Sequence, residues 1–121
     1  MKVFHSFQFA FLGLKYMLEE RNFRVHIIFM CIAVVLGVVF SITQLEWLAV
    51  IGSIGIVLVA ETLNTAIEEA MNLHTSVHPE TYPRAGKPKD IGAAGVLLAA
   101  GTAICVGCIV FIPYLLQIFV Y

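Results

Sequence analysis

The chain is predicted to be an all-α membrane protein, with three transmembrane helices and an N-terminal amphipathic surface helix in a single domain of 121 residues. Three observations carry this. Hydrophobic residues make up 60% of the chain and charged residues only 12%, with a mean hydropathy of +0.94, a balance suited to lipid rather than water. Apolar stretches at 27–43, 47–60 and 91–121 each belong to a segment able to supply the roughly 20 residues a span needs. All seven Lys and Arg precede the first span or lie between the second and third, with none in the 41–46 connection or at the C-terminus. Positive charge stays in the cytoplasm, so the N-terminus is expected inside and the C-terminus outside.

The surface helix is expected at about residues 3–20. Phe4, Phe7, Phe11, Leu14 and Leu18 recur at spacings of three and four, with His5, Gln8, Lys15 and Glu19 on other faces, the pattern of a helix lying on a leaflet. Gly13 and the cluster 19–22 are expected to mark the bend into the membrane. The N-terminus lacks the charged and apolar regions and small-residue cleavage site of a secretory signal, so none is expected. The first span, about 25–43, has no charge in its apolar run and is expected to be structural.

The second span, about 46–73, carries the chemistry. Fourteen apolar or small residues, 47–60, run without a breaker into Glu61, Asn64, Thr65, Glu68 and Asn72. At 100° per residue these five fall in one arc about 100° wide. An ionised carboxylate at mid-bilayer costs roughly 2.5–3.5 kcal/mol, so such groups usually line a pathway or site. The stripe suits gathering a cation, phosphates or a hydroxyl against a membrane helix; the competing reading is a polar seam that joins helices. It ends at the cytoplasmic face, where it can meet a nucleotide.

Residues 72–88, with Pro79, Pro83, Gly86 and Pro88, are expected to form the one real loop, a lid or nucleotide platform. Pro88 suits the first turn of the third span, about 88–119. Gly95, Ala99, Ala103 and Gly107 form a small-residue ridge there, read as packing. Lys89 and Asp90 open this span: the lysine can hold phosphate and the aspartate orient an amine or metal-bound water. Equally, Lys89 can snorkel and Asp90 favour a helix N-terminus.

Other constellations are weaker. His74 and His78 have zinc-compatible spacing but no third ligand nearby. Cys31, Cys105 and Cys108 all fall within spans and are read as small fillers rather than a disulfide framework. Gly86 and Lys87 are followed by Pro88, not Ser or Thr, so there is no P-loop, and no G-x-G-x-x-G occurs. Net charge is −1 and no nucleic-acid partner is expected. Three spans enclose little volume, so a site needs groups from another copy and an oligomer is expected.

Glu61, Asn64, Thr65 and Glu68 on a membrane helix, followed by Lys89, Asp90 and Gly92, resemble the signature of the small prokaryotic integral-membrane diacylglycerol kinase family, which includes the undecaprenol kinases. Glu20, Arg21, Asn22, Phe23, Arg24, Val25 and His26 resemble its N-terminal motif in the undecaprenol-kinase form. The resemblance covers nearly the whole chain. It implies a homotrimeric bundle in the bacterial cytoplasmic (inner) membrane, with composite sites between protomers at the cytoplasmic interface. The implied reaction transfers the γ-phosphate of MgATP to the hydroxyl of a membrane lipid alcohol, undecaprenol favoured over diacylglycerol. By position it implies Glu61 as general base and Glu20 and Glu68 as holders of Mg²⁺ with the phosphates. Asn64, Lys89 and Asp90 would then position the nucleotide, with Gly86 near it. Lys2 stands where the family has a basic residue. Pro88 replaces an expected helix former, implying a shifted start of the third helix, and Phe9 stands where some members carry tyrosine. The alternative from another class is a non-catalytic oligomeric membrane module whose stripe is helix glue or an ion path.

Overall fold

The computed structural model describes the backbone of residues 2–120 and the side chains of residues 4–119; the side chain of Lys2 lies outside the described residues. The described chain is four α-helices and one short 3₁₀ turn. These are α1 (Lys2–Glu19), α2 (Arg21–Val39), α3 (Gln44–Val77), the turn Pro79–Thr81 and α4 (Tyr82–Val120). Three segments are long and apolar enough to cross a membrane: Arg21–Val39, Gln44–Val77 and Pro79–Phe119. α1 is helical as expected. Phe4, Phe7, Phe11, Leu14 and Leu18 are all exposed, as are Phe9 and Tyr16, and among the described side chains of α1 only Met17 is buried.

The α2–α3 corner shows how short polar residues end one helix and start the next. The Ile42 amide donates to the Gly37 carbonyl and the Ser41 amide to that of Val38, both at 3.1 Å, with Ser41 at φ 52°. This is a Schellman closure with serine where glycine is usual. Thr43 then caps α3: its hydroxyl accepts from the Glu46 amide, while Glu46 accepts from the Thr43 amide at 2.7 Å, a reciprocal capping box. Tyr114 of α4 donates to the same Glu46 carboxylate at 2.9 Å and stacks on Phe40. Beneath this polar knot sits the core of Ile42, Val50, Val110 and Phe111.

α3 and α4 are an antiparallel hairpin, since Glu46 meets Tyr114 at one end and Asn72 meets Lys89 at the other. α2 packs antiparallel to α3, with Trp47 against Gly37 and Glu61 beside His26. The expected loop at 72–88 is corrected: α3 runs to Val77, one 3₁₀ turn follows, and α4 starts at Tyr82. The hydroxyls of Thr75 and Ser76 bond back to carbonyls three or four residues earlier, so polar composition does not break the helix. The break comes at His78, whose φ −125° and ψ 74° lie outside the helical region, which a following proline disfavours. Pro88 is therefore not in the first turn of the last helix but inside it. At 1.5 Å per residue α4 is about 58 Å long, against a hydrocarbon core of about 30 Å, so the hairpin has length to spare beyond the membrane. The three cysteines are free thiols on the protomer's exposed surface, with no disulfide among them.

Candidate active site

The buried face of α3 reads Val50, Ser53, Val57, Glu61 and Asn64. Spacings of three and four keep it on one side, and along it the lining changes from apolar to carboxylate and amide. The predicted stripe is graded in burial: Glu61 and Asn64 are buried, Thr65 is half-buried, and Glu68 and Asn72 are exposed. From Glu61 to Asn72 this covers about 16 Å of helix.

Glu61 is only 3% exposed. A bare carboxylate in such a place is costly without a partner, and its nearest one is His26 of α2, Nε2 to Oε2 3.9 Å. That is ion-pair range but beyond a hydrogen bond, and Glu61 accepts no hydrogen bond among the described residues. His26 also closes one end of an apolar groove of about 310 Å³ between α2, α3 and α4.

One turn on, Asn64 donates from Nδ2 to Glu68 Oε1 at 2.9 Å, linking the buried and exposed parts of the stripe. Its Oδ1 is buried and has no partner among the described residues. The reason it sits so close to α4 is Gly92: a Cβ there would stand 2.5 Å from that oxygen. Lys89, one turn before Gly92, donates from Nζ to Asn72 Oδ1 at 2.6 Å. Asn64, Glu68, Asn72, Lys89 and Gly92 thus form one strip along the α3–α4 seam.

Other predicted residues stand apart. Asp90 is exposed, turned about 100° from Lys89 by helix geometry, and makes no side-chain bond among the described residues. Gly86 is exposed with open space around it. Glu20 is the N-cap residue of α2, with no side-chain cap bond. Counted from the His26–Glu61 contact, Glu20 lies six residues back along α2 and Glu68 seven residues on along the antiparallel α3. These are about 9 and 10.5 Å in the same direction, so the two exposed carboxylates share a level. No group of three or more His, Cys, Asp or Glu able to hold a metal occurs among the described residues. Two carboxylates at one level suit a hard cation that keeps most of its shell from phosphate and water. The His74 and His78 rings lie with centroids 5.2 Å apart, tilted by 41°, and His78 pairs with Glu80 at 3.3 Å.

Sequence reasoning missed the individual roles of His26 and Gly92. Each appears only as a member of a longer motif, since neither has a chemical signal until α2 and α4 are laid against α3.

A carboxylate, an amide, a second carboxylate and a lysine run from a buried position to an exposed surface. The family model for prokaryotic diacylglycerol kinase matches residues 8–111, which contain every one of them. The chain belongs to this family. It is a lipid kinase with membrane-spanning helices. Among prokaryotic diacylglycerol kinase relatives, it is 33% identical over 96 residues to an undecaprenol kinase of Bacillus subtilis, covering 79% of this chain and 76% of that one. It is 36% identical over 119 residues to a diacylglycerol kinase of Synechocystis, covering 95% of this chain and 65% of that relative. To a diacylglycerol kinase of Escherichia coli it is 29% identical over 92 residues, 76% and 73% of the two chains. No solved structure matches the chain.

Proposed function

We propose that this lipid kinase transfers the γ-phosphate of MgATP to the hydroxyl of a membrane lipid alcohol, undecaprenol in preference to diacylglycerol. The observation that carries the reading is the placing of Glu61: a buried carboxylate beyond the polar end of an apolar groove, on a stripe that opens to exposed polar groups. A hydrocarbon chain fits the groove and brings its hydroxyl to Glu61, while the nucleotide approaches along the seam from the cytoplasm. The hydroxyl oxygen forms the new bond to the γ-phosphorus. Its proton passes to Glu61, and the bond to the bridging oxygen breaks with its electron pair leaving on ADP. Asn64 orders Glu68, Lys89 draws the phosphates, and Asp90 and Gly86 border the nucleotide. Glu20 and Glu68 would hold Mg²⁺, which when bound neutralises phosphate charge.

The lean to undecaprenol is supported by the residue 20–26 segment and by the name of the Bacillus subtilis relative. We further propose a homotrimer in the bacterial inner membrane, N-terminus in the cytoplasm and C-terminus outside, with α1 lying on the inner leaflet. The seven Lys and Arg, all before the first span or between the second and third, and the uncovered phenylalanines of α1 support that placing. The trimer is supported by the outer face of α3, where Ile51, Gly52, Gly55, Ile56, Val59 and Leu63 line an exposed shallow hollow.

The test is reconstitution in mixed lipid with MgATP, offering undecaprenol and diacylglycerol in parallel and following labelled phosphate into each. Label in undecaprenol, absent in Glu61→Gln, is the expected outcome. Label in diacylglycerol alone reverses the substrate; label in neither, from a folded oligomer, sinks the reading.

A further inference from the structure

Resting on that reading, we propose that His26 binds the acceptor hydroxyl together with Glu61, and so sets where the alcohol lies before transfer. The geometry starts from a gap. His26 Nε2 and Glu61 Oε2 are 3.9 Å apart, whereas a direct N–H···O bond closes to about 2.7–3.2 Å. One oxygen placed beside the pair lies about 2.8 Å from both atoms. A water or alcohol oxygen there accepts from the imidazole N–H and donates to the carboxylate, satisfying both groups at once. An alcohol so held keeps its second lone pair for phosphorus.

The lining of the groove favours the alcohol. Ser53 and His26 are the polar side chains that border it. Ser53 is already committed, its hydroxyl donating to the Val50 carbonyl at 2.9 Å. That leaves the His26 ring, whose side chain is 22% exposed beside a Glu61 side chain only 4% exposed, as the polar group open to an occupant. Along the rest of the groove Phe29, Ile54, Val57, Ile104 and Phe111 offer only hydrocarbon. A ligand with one hydroxyl at the end of a long apolar chain matches that distribution.

The experiment compares His26→Gln, His26→Asn and His26→Leu with wild type in lipid vesicles, measuring kcat and KM separately for the lipid alcohol and for ATP. Glutamine places an N–H donor near the position of Nε2, asparagine nearer Nδ1, and leucine fills the space without a donor. Loss of one hydrogen bond to the reacting hydroxyl predicts about a tenfold fall in kcat/KM for the lipid in the leucine and asparagine variants, with KM for ATP unchanged. The glutamine variant should recover most of that loss. Wild-type lipid kinetics in His26→Leu, equal losses in the glutamine and asparagine variants, or a matching rise in KM for ATP would each overturn the proposal. If the leucine variant does not assemble, the glutamine–asparagine comparison decides alone. Failure of wild type itself to phosphorylate lipid removes the kinase reading instead, so the two failures are distinct.

Discussion

Gly92 lies so close to Asn64 that a Cβ on the glycine would stand 2.5 Å from Asn64 Oδ1. The contact is tighter than any real side chain tolerates, so the absence of a side chain on α4 sets where the amide on α3 sits. Asn64 in turn holds Glu68 through a 2.9 Å bond, and one packing contact therefore orders two polar groups. Gly92→Ala is expected to push Asn64 off Glu68. Overpacking of this kind costs about 1–3 kcal/mol, and turnover should fall with it. Thermal unfolding in detergent and labelled-phosphate assays check both. Asn64→Ser in the Gly92→Ala background makes room, so the double variant should regain stability relative to Gly92→Ala while turnover stays low. Additive losses would mean that the two positions do not communicate.

Lys89 Nζ sits on Asn72 Oδ1 at 2.6 Å. A phosphate would compete for the same ammonium group. Lys89→Met is expected to raise KM for ATP by about tenfold or more, the loss of a charge-assisted contact. Asn72→Ala removes the competitor and leaves the lysine free, so KM for ATP should stay level or fall. Steady-state kinetics with ATP varied at saturating lipid separates the two. A rise in Asn72→Ala as large as in Lys89→Met would instead make the asparagine part of the nucleotide site.

At the other end of the bundle, Trp47 covers Gly37: a Cβ on the glycine would meet the indole at 2.7 and 2.8 Å. Gly37→Ala should lower stability by about 1–3 kcal/mol while KM for lipid and ATP is unchanged in the protein that remains folded. Gly13 and Gly86 have open space where a Cβ would go, so alanine at either meets nothing in the protomer. Unfolding midpoints for the three variants provide the check. An intact Gly86→Ala fold with impaired ATP binding would point to a nucleotide passing close to that backbone.

What could be read without coordinates follows from what is periodic. The three spans and the Glu61–Asn72 stripe depend only on hydropathy and a 3.6-residue repeat, and both are visible in one chain. The segment 72–88 was illegible because composition cannot say where a hydroxyl bonds. Thr75 and Ser76 turn their polarity onto their own helix, Pro83 sits in the first turn of α4 and Pro88 lies inside it. His26 and Gly92 were illegible for a different reason. Each acts across a helix interface, and the register of α2 and α4 against α3 is a property of packing that no single helix encodes.

Asp90 gives the last prediction. It is exposed, sits off the seam that Lys89 and Gly92 share with α3, and has no partner among the described residues. If it serves a site built around Glu61 in a trimer, it does so from a neighbouring protomer. Glu61→Gln and Asp90→Asn proteins, each inactive alone, should then regain activity when unfolded together and reassembled. In a one-to-one mixture half the protomers carry an intact Glu61, and half of their neighbours carry an intact Asp90. With one such junction per protomer in a symmetric ring, about a quarter of the sites are whole, so about a quarter of wild-type turnover is expected. If both groups act within one protomer, no mixed trimer contains a whole site and activity stays at the level of the single variants. Crosslinking of the mixed sample must show trimers for a negative result to count.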